Sequence, residues 1–75
     1  MARPVPLRTD YDADTLRQLA KQSRVPRQIR RLLVLAAAYE GKSRSEAARI
    51  GGMDRQTLRD WVIRFNGEGP EGLGA

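Results

Sequence analysis

Apolar positions recur along this chain at helical spacing, with no alternation of the kind a strand requires. Leu16, Leu19 and Ala20 share one side of a helix predicted from about Ala13 to Ser23, with Asp12 or Asp10 as its N-cap. Val25-Pro26 breaks that helix, because the residue before proline is pushed out of the α region, and Pro26 then suits the first turn of a second one. The second helix is predicted from about Arg27 to Glu40 and carries the most apolar run, LLVLAAAY (Leu32 to Tyr39). Ile29, Leu32, Leu33 and Ala36 make its main stripe, and Leu35 and Ala37 widen it. A helix apolar around so much of its circumference needs cover on two sides, so it belongs at the centre of the fold.

The stretch from Ser43 to Phe65 reads as two short helices joined by a tight turn, a helix-turn-helix. Ser43 with Glu46 three residues on is a capping box, and Ala47, Ala48 and Ile50 give a short helix with a mostly small inner face. Gly51-Gly52 supplies positive φ and ends it. Ala48, four residues before Gly52, permits a close crossing, and Met53 points back into it. Asp54 caps the next helix, in which Leu58, Trp61, Val62 and Phe65 fall at i, i+3, i+4 and i+7. The other side of that helix carries Arg55, Gln56, Arg59, Asp60 and Arg64.

The fold class that follows is all-α: a small bundle of about four helices containing a helix-turn-helix, homeodomain-like in outline. Residues 12–66 form the helical domain. Residues 1–11 are expected to be a flexible arm. Arg3 and Arg8 could read a minor groove from such an arm, but an untethered terminus is the ordinary expectation and is the one adopted. Residues 67–75 (GEGPEGLGA) read as a glycine- and proline-rich tail or linker, in which Leu73 and Ala75 are too few for further core.

Size and composition narrow the function. Seventy-five residues allow one small domain. The absence of cysteine and histidine removes disulfides, the common zinc sites and histidine catalysis, and suits a cytoplasmic protein. No apolar run approaches the roughly 20 residues of a membrane span, and the start lacks the apolar core of a signal peptide. The net charge is +5. Residues 17–64 hold twelve of the 14 basic residues against Glu40, Glu46, Asp54 and Asp60, and the remaining acids lie near the two ends. Arginine dominates the basic set, and its planar fork matches phosphates and guanine edges.

These features point to double-stranded DNA as the partner. Arg55, Gln56, Arg59 and Asp60 are the candidate base readers. Arginine pairs with guanine O6 and N7, glutamine with adenine N6 and N7, and an acid accepts from cytosine N4 or orients a neighbouring arginine. Arg31, Lys42, Arg44, Arg49 and Arg64 are the candidate phosphate contacts. Trp61 could serve as a stacking platform for a base, but its place in the apolar stripe makes it core. Ser43 and Thr57 have no base to activate them, and the carboxylates form no metal or acid–base pair, so no catalytic site, metal or cofactor is expected.

EAARIGGMDRQTLRDWV, within the longer run from Arg30 to Leu73, resembles the N-terminal region of bacterial insertion-sequence transposases related to the mariner group. RTDYDADTLRQLAKQS before it is similar as well, so the likeness covers nearly the whole chain. The resemblance implies a helical region that binds the terminal inverted repeats of a mobile element, at the bacterial nucleoid. In such proteins a second DNA-binding unit and a magnesium-dependent catalytic domain follow, and neither falls on these residues. A homodimer of the full-length protein is compatible with it. Two other functions compete: a protein-interaction or dimerisation module, suggested by the apolar second helix, and a stand-alone transcription regulator.

Overall fold

Short side chains at the helix starts set the frame. In the computed structural model, which describes residues 4–74, the Asp12 carboxylate accepts from the Thr15 amide at 2.8 Å and α1 runs Ala13–Gln22. Pro26 opens α2, Pro26–Tyr39. The Ser43 hydroxyl accepts from the Glu46 amide at 3.1 Å and opens α3, Arg44–Ile50. Asp54 accepts from the Thr57 amide at 2.7 Å and opens α4, Arg55–Glu68, which passes into a 3₁₀ turn, Gly69–Leu73. Among the described residues there is no strand, and the expected all-α bundle of four helices is what forms.

Helix α2 is central, packed on α1, α3 and the 3₁₀ turn. Its buried residues are Leu32, Val34, Leu35, Ala36 and Ala37. Val34 takes the place expected of Leu33, which is 40% exposed, because the side of α2 beneath the α3–α4 turn belongs to Val34. Ile50 is likewise 55% exposed and not part of the inner face. Ala47 and Ala48 are the buried residues of α3, and their size sets how closely the elements approach.

The two glycines of the turn do different jobs. Gly52 has φ +64° and closes α3 in a Schellman arrangement, with Gly52 N–H donating to Arg49 O at 3.1 Å and Met53 N–H to Ala48 O at 3.0 Å. Gly51 has φ −88°, which any residue adopts. Its requirement is space: a Cβ there would lie 2.3 Å from Val34 Cγ2. Positive φ was expected of both, and only Gly52 shows it.

Both chain ends depart from expectation. Residues 4–11 are not a free arm. Asn66 clamps them, its Nδ2 donating to Pro6 O at 2.7 Å and its Oδ1 accepting from Arg8 N–H at 2.9 Å. The Tyr39 hydroxyl donates to Arg8 O, and Val5, Leu7 and Tyr11 pack against the core. Arg8 is held by Asp10 at 2.7 and 2.8 Å and donates to Phe65 O at 3.3 Å, so it is not free for a minor groove. Arg3 lies outside the described residues. At the other end α4 continues to Glu68, and Leu73 is fully buried. One apolar side chain sufficed because the 3₁₀ turn delivers it onto α2, a long-range effect that local composition does not reveal.

Leu73→Ala should therefore cost about 2–5 kcal/mol in a urea titration, as for a core leucine, where a free tail would give almost nothing. Gly51→Ala should cost about 1–3 kcal/mol by overpacking. Gly52→Ala should cost about 1–2 kcal/mol by left-handed strain. In a double-mutant cycle Val34→Ala should relieve the first and leave the second unchanged.

Candidate nucleic-acid interface

Helix α4 divides sharply between a buried and an open side. Leu58, Val62 and Phe65 are buried and fix it to the bundle. At about 100° per residue, Gln56, Asp60 and Ile63 point most directly away from that stripe. Arg55 and Arg59 occupy one shoulder, and Thr57 and Arg64 the other. All seven of these outward residues are exposed. Of the residues expected to meet DNA, Arg55, Gln56, Arg59 and Asp60 thus stand together on the leading half of α4. The Asp54 cap that starts the helix has its carboxylate held below the ordinary range by the Thr57 amide.

On the first shoulder Arg55, Gln56 and Arg59 border a concavity of about 340 Å³ shared with Arg44, Pro4 and Val5, and floored by Leu58 and Val62. Arg44 was expected to grip phosphate. Its Nη2 instead donates to Val5 O at 2.8 Å, and Nη1 is enclosed with no hydrogen-bond partner among the described residues. Burial pushes its pKa down. This arginine holds the N-terminal segment beside α4.

The second shoulder is built on Trp61, which is half-buried and packs against the core. The Arg31 guanidinium lies 3.8 Å from the centre of its ring, and that of Arg64 5.5 Å. Arg31 also donates to Leu73 O at 3.1 Å. Burial first, then the neighbouring Arg27, Arg64 and Arg30, lowers its pKa. Arg31, another expected phosphate contact, is thus bound into the fold, while Arg64 remains exposed at the rim of a hollow of about 230 Å³ framed by Thr57, Asp60 and Trp61. Trp61 is core on one side and a platform for arginine on the other. The expectation of a plain core residue covers half of this.

Lys42, before α3, and Arg49, in its last turn, are both exposed. Arg27 and Arg30 were not among the expected phosphate contacts, although the run from Arg27 to Arg31 holds three arginines on one helix. Ile63 was not among the expected contacts either. Among the described residues the ion pairs are Arg8–Asp10 and Arg17–Glu40, so Asp60 is not tied to Arg59 or Arg64. No three potential metal ligands come together among those residues, and no helix there is long and apolar enough to cross a membrane.

A family model described as winged helix-turn-helix matches residues 31–74, the span from α2 through the 3₁₀ turn. The chain belongs to this family. Helix-turn-helix domains bind DNA by laying the second helix of the motif in the major groove, its N-terminal residues on base edges, while the first crosses the backbone. In this member α3 is the first helix of the motif and α4 the second. Among the described residues there is no strand to form a wing, so the matched part contributes helices alone. The chain is also 56% identical over 73 residues to the uncharacterized protein y4pG/y4sC of Sinorhizobium fredii (strain NBRC 101917 / NGR234). That match covers 97% of this chain and 38% of the relative. No solved structure matches it.

The two classes of arginine should separate by experiment. Arg31→Ala should lower stability by about 1–2 kcal/mol through the lost stacking and hydrogen bond, whereas Arg59→Ala should leave the unfolding midpoint unchanged. For Asp54 the folded carboxylate has the lower pKa. Its contribution is therefore complete above about pH 4 and fades as pH falls through the depressed value. Asp54→Asn keeps the cap and removes the charge, so urea midpoints measured against pH should show a flatter acid arm than in the wild type.

Proposed function

We propose that this chain is a sequence-specific double-stranded DNA-binding domain that recognises the terminal inverted repeats of a mobile element, as the DNA-binding part of a transposase. The single observation that carries the DNA-reading step is the open face of α4: Arg55, Gln56, Arg59 and Asp60 are all exposed and share the leading half of a helix whose other face is locked into the bundle. Lys42, before α3, and Arg49, in its last turn, are exposed as well, and Arg27, Arg30 and Arg64 extend positive charge along the second shoulder. The assignment to inverted repeats rests on the resemblance of EAARIGGMDRQTLRDWV to insertion-sequence transposases. The reading gives this chain a binding role in the bacterial cytoplasm and no catalytic one.

The competing dimerisation reading started from the apolar second helix. Leu32, Val34, Leu35, Ala36 and Ala37 are consumed within the chain, which leaves Leu33 as the large apolar side chain of α2 that is open. A promoter-binding regulator would use the same face of α4, and the choice of site distinguishes it from the transposase reading.

Binding is measured by fluorescence anisotropy on an inverted-repeat duplex and on a scrambled one of equal length. Arg59→Ala should cost about 1–3 kcal/mol on the cognate duplex and much less on the scrambled one. Lys42→Ala and Arg49→Ala should weaken both equally and reduce the slope of log affinity against log salt by about one per lost phosphate contact. Equal affinity for the two duplexes in the wild type would overturn the specific reading.

A further inference from the structure

Among the described residues four large apolar side chains are open: Val25, Leu33, Ile50 and Ile63. Three of them stand away from the reading face, two along α2 or at its start and one at the end of α3, and single exposed apolar residues of that kind are ordinary. Ile63 differs in its surroundings. It is 47% exposed and occupies the outward line of α4, seven residues after Gln56, four after Arg59 and three after Asp60. These four side chains form one surface two turns long. From Gln56 to Ile63 the axis rises roughly 10 Å, close to three base-pair steps of B-form DNA.

A β-branched apolar side chain on a polar face, not packed on the core among the described residues, has no partner there to justify it. In the major groove it has one. Thymine alone among the bases presents a methyl group there, at C5, and apolar side chains recognise it by contact. Gln56, Arg59 and Asp60 offer hydrogen bonds to the other edges, and none of them can register that methyl. Ile63 completes the set.

We infer that Ile63 is a specificity-determining residue that contacts the 5-methyl group of a thymine two to four base pairs from the position faced by Gln56. The inference rests on the reading of α4 as a major-groove helix. It adds a chemical feature of the ligand, the thymine methyl, which hydrogen-bonding side chains do not detect. The short stiff side chain restricts it to a base directly beneath it, so the requirement is for one defined thymine and not for general A·T content.

The test begins with duplexes selected from a random pool by the full chain. Each thymine of the consensus is then replaced by deoxyuridine, which removes only the methyl. Wild-type affinity should fall about fourfold at one position, the value of one buried methyl group, and stay constant at the others. Ile63→Ala should bind the thymine duplex with the reduced affinity and make no distinction between thymine and uracil at that position. Ile63→Val, which keeps the branched end, should retain part of the distinction. Because the uracil substitution is read on the unaltered protein, a folding defect in a variant does not mask the result. Tight, selective binding with no thymine sensitive to its methyl, or a methyl effect that survives Ile63→Ala in full, overturns the role of Ile63 and leaves the DNA-binding reading standing. Failure to select any duplex overturns that reading and this inference together.

Discussion

The Phe65 ring is the contact on which the rest of this small fold depends. It is fully buried near the C-terminal end of α4, with the edges of Tyr11 and Tyr39 set against it at centroid distances of 5.3 and 6.2 Å. Those partners come from the N-terminal segment and from the end of α2, so one side chain joins three parts of the chain that are far apart in sequence. Tyr39 also donates its hydroxyl to the Arg8 carbonyl, and Arg8 donates to the carbonyl of Phe65 itself. Aromatic edges around one ring bring area and orientation together. That matters in a chain of this length, where a single core is modest and the termini must add to it.

Once Phe65 is placed, the direction of α4 is decided, and the treatment of the arginines follows. A chain with net charge +5 cannot direct every cation outward without mutual repulsion. Here Arg8, Arg31 and Arg44 are turned inward onto carbonyl oxygens, and Arg31 also onto the face of an indole. Guanidinium suits this use, since its flat surface stacks while its rim donates. The exposed cations are then Arg55, Arg59 and Arg64 on α4, Arg49 on α3, Lys42 before it, Arg27 and Arg30 on α2, and Lys21 and Arg24 around the end of α1. The charge left on the surface depends on this sorting as much as on composition.

Much of this was legible in the sequence, and the parts that were not share a cause. Helix periodicity, Ser43 and Asp54 as caps, Pro26 and the Gly51-Gly52 turn all act within a few residues, and the four helices appear where those signals place them. The exposed set Arg55, Gln56, Arg59 and Asp60 follows from the same periodicity. Local pattern could not reveal contacts closed over 39 residues or more: Asn66 on Pro6, Arg44 on Val5 and Arg31 on Leu73. It also could not tell Leu33 from Val34, because which flank of an apolar helix is covered depends on where Gly51 comes to rest. Arg31 and Arg44 looked like free cations for the same reason. Ile63 was passed over, although at about 100° from Val62 the same periodicity sets it on the polar side.

The open line of α4 has a consequence of another kind. Gln56, Arg59, Asp60 and Ile63 make no contact that the bundle needs, while Leu58, Val62 and Phe65 carry the attachment from the opposite side of the same helix. Duties are divided by face within one segment of chain. Descendants of this sequence can therefore exchange the four outward letters and still fold, so that this surface changes by drift at positions invisible to selection for stability. A domain partitioned in this way is a natural starting point for laboratory reprogramming, with a library confined to four codons and a scaffold left untouched.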